Sequence, residues 1–315
     1  MNFYASQPFL DTVARVYFPH QRSRIQDFEV EGKVYRLLVV GSGRVITRWS
    51  FLDYCEPIQP DNVHEPVRRK LFIPNAVHGI VSMQDWASRS DEYGAYMPAP
   101  FVDFAEYPNY KDYLSFLMKR SKDRFKKNYR LRERLAEDFG QLQFCANDDE
   151  PDVLEKSLEW KSAQLRDTGL PDLFRKPENR QFYYELKRRG VLLSSTLRAN
   201  GRLLSSWLGY IHEGYWSGWI FTYDHDPALK KYSLGWQLMD SLLQDCHEKQ
   251  LKGFDFSVGH SDYKMTYGTH VRLLGSVGTR PKREAMLLAL RSQVKAKLVR
   301  FPKLLETVRQ LARRR

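Results

Sequence analysis

The stretch with the clearest chemical potential spans residues 221–238, where a predicted strand ends, a polar loop follows and a helix begins. Ser233, Leu234 and Gly235 open this helix, and Lys230 and Lys231 stand just before it. The first turn of a helix presents unpaired N–H groups and the positive end of the helix dipole, which together bind phosphates. A glycine there lets a ligand approach the backbone closely. Because serine is also a common helix cap, the pattern fits either a phosphate site or an ordinary cap.

A second candidate stretch spans residues 253–268. Asp255 alternates with two phenylalanines in a short predicted strand, Gly259 breaks this strand, and Tyr263 and Lys264 begin a new helical turn. A tyrosine and a lysine presented together at such a turn are suited to protonating a leaving group and to holding a phosphate. The alternative is a structural aspartate and a solvated lysine, and the pattern alone leaves both open.

The elements that position these residues follow an α-α-β-β-β-α-β-α-β order in the second half of the chain. Predicted helices cover 152–166, 177–189 and 234–249, a short one surrounds Tyr263, and predicted strands cover 191–198, 202–211, 215–223, 254–258 and 271–277. Asn200-Gly201 and Glu213-Gly214 are typical of tight hairpin turns. An antiparallel meander that changes to a crossover indicates an α+β fold.

The first half predicts a helix over 8–18, strands over 28–31, 34–40, 45–51, 70–73 and 100–104, and a long amphipathic helix over 110–139 that Gly140 closes. We place a domain boundary near residue 140. In residues 281–315, apolar side chains recur at steps of three and four. This spacing predicts a strongly basic amphipathic helix that is bent or restarted at Pro302.

Composition excludes several classes of protein. With 42% hydrophobic residues, the 315-residue chain can bury a large core, so it is neither disordered nor collagen-like. No run approaches the roughly 18 to 20 apolar residues that cross a bilayer. Residues 1–10 show no secretory signal, so we expect a cytoplasmic protein. Cys55, Cys145 and Cys246 stand too far apart for a metal pair, and no H-E-x-x-H or G-x-S-x-G motif occurs, so we expect no metal site and no serine nucleophile.

The formal charge of +12 is concentrated in two segments. Residues 111–134 carry a net +7 and residues 280–315 a net +10, so the remainder of the chain sums to −5. Basic helices attract phosphates, anionic lipid surfaces and acidic polymers. Neither segment has the spacing of a zinc finger, an RNP motif or a homeodomain, so nucleic-acid binding is not predicted as the sole function.

Residues 158–264 resemble the CelD/BcsL-like and FemAB-like branch of the GNAT acyltransferase superfamily, which includes the BioF2-like acetyltransferase domain. The resemblance is carried by Trp160 with Lys161, by Gly169, by the segments DLFRKPENRQFYYEL and LRANGRLLSSWLGYIHEGYWSGWIFTYD, and by YSLGWQLMD and FDFSVGHSDYK. It extends weakly to FLDYCEPI at residues 51–58. Members usually have Ser-Pro-Gly where this chain has Ser233, Leu234 and Gly235.

The resemblance implies two tandem GNAT-like mixed sheets flanked by helices, in domains 1–140 and 141–280, followed by the basic tail 281–315. It also implies an acyl thioester such as acyl-CoA as co-substrate. The N–H groups of Ser233, Leu234, Gly235, Trp236 and Gln237 would then bind the pyrophosphate, and Phe221, Thr222 and Tyr223 would run beside the pantetheine. Tyr263, Lys264 and Asp255 would be catalytic or substrate-binding, with a structural role favoured for Asp255 over that of a base. Trp160 and Lys161 would line the acceptor side.

Three hypotheses follow for the function. The first is a cytoplasmic N- or O-acyltransferase that acts on a cell-envelope or exopolysaccharide precursor, with residues 281–315 against an anionic membrane surface or packed on the body. The second is a Fem-like transferase that uses aminoacyl-tRNA bound along the basic helix 111–134. The third is a catalytically silent GNAT-fold binding protein, which the leucine at position 234 keeps open.

Overall fold

Two β-sheets with helices on their faces form the part of the chain that the computed structural model describes: residues 3–30, 32–55, 70–71, 73–77, 79–87, 97–259 and 261–277. The predicted basic tail 281–315 lies outside the described residues, as do residues 56–58, the last three of the FLDYCEPI segment.

The smaller sheet is an antiparallel meander near the N-terminus. It follows helix α1 (Gln7–Tyr17) and contains β1 (Ser23–Val30), β2 (Lys33–Val40) and β3 (Arg44–Ile46) in the order β1-β2-β3. Val30 pairs with Lys33, so a two-residue turn joins β1 and β2, and Gly32 supplies the positive φ of 74° that such a turn requires. Four consecutive apolar residues at the end of β2 are buried against α1 and the larger sheet.

The larger sheet has nine strands and combines both halves of the chain. Its strands are β4 (Lys70–Leu71), β5 (Gly79–Ala87), β6 (Met97–Asp103), β7 (Leu142–Cys145), β8 (Leu193–Ala199), β9 (Arg202–His212), β10 (Tyr215–Tyr223), β11 (Gly253–Asp255) and β12 (His270–Val277). The order is β4-β12-β6-β11-β10-β9-β8-β7, with β5 also paired to β12. All pairs are antiparallel except β10 with β11 and β12 with β4.

Helices cover both faces of this sheet. They are α2 (Tyr110–Phe139), α3 (Pro151–Asp167), α4 (Pro177–Arg188), α5 (Leu234–Glu248) and the short α6 (Asp262–Tyr267). The apolar sides of α1, α3 and α4 pack in one core with the small sheet, and those of α2 and α5 pack in a second core with Trp207, Trp216 and Phe254. The sheet therefore separates two cores, and strands β9 and β10 contribute side chains to both.

The predicted α+β fold with mixed sheets flanked by helices is confirmed, and most predicted elements lie within one or two residues of the observed ones. Four strand limits were wrong. β1 begins at Ser23 rather than at residue 28, and β6 begins at Met97 rather than at residue 100. The strand predicted over 45–51 ends at Ile46, because the chain bends at Thr47 and Trp49 then bridges to the nearby Leu52. The strand predicted over 254–258 ends at Asp255, because Ser257 takes a left-handed φ of 59°. Strands from both sides of residue 140 join one sheet, and the domain boundary placed there stays a prediction.

Candidate active site

Strands β10 and β11 pair only at their beginnings, and a gap opens beyond the last pair. Tyr215, Trp216 and Ser217 pair with the three residues of β11, after which β10 continues to Tyr223 without that partner. A bulge at Trp219 adds a residue to β10 just past the last pair, and a bulge bends a strand and increases its twist. After β11 the chain follows β6 instead, with Phe256 N–H donating to Pro100 O. The two parallel strands thus separate in the middle of the sheet.

Helix α5 begins beside this gap with an uncapped first turn. Ser233 takes the left-handed conformation (φ 53°, ψ 50°), and its side chain makes no capping hydrogen bond. The N–H groups of Trp236 and Gln237 donate to Ser233 O, at 2.8 and 3.4 Å. Those of Leu234 and Gly235 donate to no residue in the part of the chain that the structure describes. Two backbone donors at the positive end of the helix therefore remain available to an anion.

A cleft of about 680 Å³ connects the gap between the strands with the start of α5. Its walls come from the end of α3, the second half of β10, the loop before α5, the first turns of α5, and Tyr263 of α6. Gly235 is essential to its shape, because a Cβ built there would stand 2.9 Å from two atoms of the Phe221 ring. The aromatic ring of β10 therefore rests against the backbone of α5, and a side chain at position 235 would displace it.

The predicted donor-binding residues divide into two groups around this cleft. Cleft walls include Phe221, Tyr223, Ser233, Leu234, Gly235 and Trp236. Thr222 is fully buried on the other side of β10, and the Gln237 side chain donates to Asn128 O (3.1 Å) and Tyr232 O (3.4 Å), so both have packing roles. Of the two lysines before the helix, Lys230 lines the cleft, whereas the Lys231 ammonium lies 3.5 Å from Asp138.

Lys161 and Trp160, predicted to line the acceptor side, occupy different environments. The Lys161 ammonium donates to Gln164 Oε1 at 2.8 Å and to the backbone oxygen of Phe221 at 3.3 Å, which brings it to the edge of the cleft. Burial lowers the pKa of Lys161, and the nearby ammonium of Lys264 lowers it further. Trp160 is half-buried on α3 and is not among the described residues that form the cleft wall.

Tyr263 and Lys264 are neighbours on α6, and of the two only Tyr263 is among the residues that line the cleft. Tyr263 forms part of the wall, and burial raises the pKa of its hydroxyl, so this group stays protonated at neutral pH. Lys264 donates to Val258 O at 2.8 Å and to Ser257 O at 3.4 Å. Burial lowers the pKa of Lys264, and the carboxylates of Asp53 and Asp255 partly oppose this shift.

Asp255 lies in a buried network behind the cleft. It is 1% exposed and accepts hydrogen bonds from Tyr54 Oη (2.5 Å) and from the main-chain N–H of Ser257 (2.8 Å). The fully buried Arg272 guanidinium lies 3.4 Å from the same carboxylate and also bonds Tyr54 Oη. These contacts occupy Asp255 and support the structural role over the catalytic one.

Asp53 belongs to the same buried network as Asp255 but was not predicted as a site residue. Its carboxylate accepts hydrogen bonds from Tyr4 Oη (3.2 Å) and Ser257 Oγ, and Trp219 Nε1 donates to Tyr4 Oη at 3.1 Å. Burial raises the pKa of Asp53. The only sequence signal was its place in FLDYCEPI, far from the other site residues along the chain.

Among the described residues, no cluster of three or more histidine, cysteine, aspartate or glutamate side chains is arranged to hold a metal ion. In the same part of the chain, no helix combines the length and the apolar character needed to span a bilayer.

Comparisons with known proteins agree with this geometry. Residues 123–265 match the family model described as an acetyltransferase (GNAT) domain. This region includes β10, α5, β11 and the beginning of α6, and therefore most of the cleft wall. No curated protein sequence shows significant similarity to the chain.

Several solved structures resemble the chain at low sequence identity. FemX superposes with a TM-score of 0.51 at 8% identity, covering 87% of this chain and 91% of FemX. L-PGS from Bacillus licheniformis is similar at a TM-score of 0.41 and 10% identity, covering 92% of this chain and 97% of L-PGS. A tandem GNAT protein from the clavulanic acid biosynthesis pathway is similar at a TM-score of 0.35 and 12% identity, covering 85% of this chain and 87% of that protein. Of these, only the FemX likeness is close enough to show a common fold. Residues 123–265 are therefore similar to GNAT-type acetyltransferase domains, and the likeness to FemX is one of fold alone.

Proposed function

We propose that the chain is an acyltransferase that moves an acyl group from acyl-CoA to an amine or hydroxyl of a cell-envelope or polysaccharide-related acceptor. The observation that carries the proposal is the uncapped first turn of α5, whose free N–H groups at Leu234 and Gly235 face a cleft between two diverging parallel strands. Such a turn binds a diphosphate, and the gap along β10 leaves a path for an extended arm.

In the proposed reaction the acceptor's amine or hydroxyl attacks the thioester carbonyl carbon while both substrates are bound. The new C–N or C–O bond forms, the C–S bond breaks, and the nucleophile releases its proton to solvent, which returns a proton to the group that protonates the thiolate. Tyr263 is placed to give a proton to the departing thiolate, because burial keeps its hydroxyl protonated. The main contribution of the fold is then the orientation of the two substrates.

A second candidate is transfer from an aminoacyl-tRNA, which the surface of α2 favours. Lys122, Lys126, Lys127, Arg130 and Arg134 are all exposed along this helix. The helix also contacts α5, because Arg132 Nη1 donates to Gln237 O at 3.2 Å. An exposed row of cations beside the proposed donor site is suited to RNA phosphates.

Thermal unfolding with a panel of donors tests both candidates. A ligand that binds only the folded state stabilises it by about 2.7 kcal/mol at one hundred times its Kd, which raises Tm by about 5 °C for a chain of this size. Stabilisation by acetyl-CoA or a longer acyl-CoA supports the first candidate, and stabilisation by charged tRNA alone supports the second. An unchanged Tm with every donor would contradict both and leave a GNAT-fold binding protein.

A further inference from the structure

Two lysines border the gap between β10 and the chain that follows β11, one on each side. Lys161 reaches from α3 to the backbone oxygen of Phe221 in β10. Lys264 reaches from α6 to the backbone oxygen of Val258, three residues beyond β11. Each ammonium is thus held by a carbonyl on its own side of the gap. Hydrogen bonds join the two sides: Ser257, whose backbone oxygen accepts from Lys264, also donates to Asp53, and Asp53 accepts from Tyr4, which is bonded to Trp219 of β10.

Both ammonium groups retain a hydrogen-bond donor. An ammonium has three N–H bonds. Lys161 uses two of them on Gln164 and Phe221, and Lys264 uses two on Ser257 and Val258. No carboxylate of the described residues forms an ion pair within 4.0 Å of either group. Each lysine therefore has one donor available to a bound molecule.

The charges around the two lysines do not balance. Asp255 is engaged by Arg272 and Tyr54, which leaves Asp53 as the carboxylate available to compensate the pair. Two ammonium groups therefore face one carboxylate in a partly buried site. Partly buried charges of like sign repel one another strongly because water screens them poorly. An additional negative charge between the lysines would remove this cost.

The imbalance lies next to the cleft. Gln164, which holds Lys161, and Tyr263, which precedes Lys264, both form part of the cleft wall. The donor phosphates are assigned to the other end, at the first turn of α5. A negative group between the lysines would therefore belong to the second substrate.

We propose that Lys161 and Lys264 together bind an oxyanion group of the acceptor, so the acceptor carries a carboxylate or a phosphate near its attacking amine or hydroxyl. This inference rests on the proposed transferase function and specifies the chemical class of its acceptor. The pair holds the anionic group by charge-assisted hydrogen bonds and thereby orients the neighbouring nucleophile toward the thioester.

The test is a titration of the full chain, saturated with CoA so that the first turn of α5 is occupied, with two anion probes. Trifluoroacetate binding is followed by ¹⁹F NMR and inorganic phosphate binding by ³¹P NMR, in the wild type and in Lys161→Gln, Lys264→Gln and Lys156→Gln. Lys156 is the matched control, because it is exposed on the same helix as Lys161 and pairs with Asp152.

We expect saturable binding of one probe, weakened at least tenfold in Lys161→Gln and Lys264→Gln and unchanged in Lys156→Gln. Preference for trifluoroacetate indicates a carboxylate acceptor, and preference for phosphate a phosphorylated one. The inference is wrong if neither probe binds saturably, or if Lys161→Gln binds as well as Lys156→Gln. If Lys264→Gln does not fold, the comparison of Lys161→Gln with Lys156→Gln tests the inference by itself. If CoA does not bind, the proposed donor site is wrong. Probe binding to the wild type and the three variants without CoA then still tests the proposed anion site.

Discussion

Replacement of Asp255 by asparagine separates a structural role for this residue from a catalytic one. Asp255 and Arg272 are 1% and 0% exposed, so loss of the carboxylate leaves a guanidinium charge with less compensation in the interior. Removing one partner of a buried ion pair costs about 3 to 5 kcal/mol, whereas an exposed pair is worth at most about 1 kcal/mol. We therefore expect Asp255→Asn to lower the free energy of unfolding by about 3 to 5 kcal/mol.

For a chain of this size, about 2 °C of Tm corresponds to 1 kcal/mol, so the expected loss is about 6 to 10 °C in a thermal scan. Asp123→Asn on the exposed face of α2 is the matched control and should change the stability by no more than about 0.5 kcal/mol. If Asp255→Asn melts with the wild type but loses acyl transfer, the structural assignment is wrong and Asp255 acts in the chemistry.

Two further predictions concern titratable groups away from the cleft. Burial raises the pKa of Asp240 to about 6. Between about pH 4 and pH 6 the folded chain therefore keeps a proton that the unfolded chain loses. As the pH rises through this range, the free energy of unfolding falls by about 3 kcal/mol. Urea unfolding of Asp240→Asn should lack this decline, and a difference from the wild type that does not vary with pH would contradict the assignment. Burial raises the pKa of Cys55 to about 12 and also that of Cys246, whereas Cys145 is exposed. A disulfide reagent should therefore titrate one thiol rapidly in the folded chain and all three after unfolding, and a second rapid thiol would refute the burial of the other two.

Local sequence signals were sufficient for most of the fold. Asn200-Gly201 and Glu213-Gly214 predicted the two hairpins of β8, β9 and β10 because turns with positive φ favour these residues, and both pairs do have positive φ. Strands β5 and β7 were not predicted. β7 is only four residues long, and none of its side chains is fully buried. Its sequence, LQFC, is too short to give a clear strand pattern.

The candidate site was only partly predictable because it combines residues that are distant in sequence. Ser233, Gly235 and Tyr263 are close to a turn signal, and all three line the cleft, while their roles in binding and catalysis stay predictions. Asp53 comes to Ser257 across 204 residues, a contact that no local pattern encodes. The structural use of Asp255 likewise depends on its contacts with Tyr54 and Arg272, each from a different element.

Binding of an acyl-CoA diphosphate by the first turn of α5 can be measured by calorimetric titration of the chain with acetyl-CoA. Gly235→Glu adds a carboxylate to this turn and forces the Phe221 ring away. Gln244→Glu adds the same charge at an exposed position later in α5 and is the matched control. We predict saturable binding to the wild type and to Gln244→Glu, and at least about 100-fold weaker binding, or about 2.7 kcal/mol, to a folded Gly235→Glu. Absence of binding to the wild type, or equal binding to Gly235→Glu, would contradict the proposed donor site.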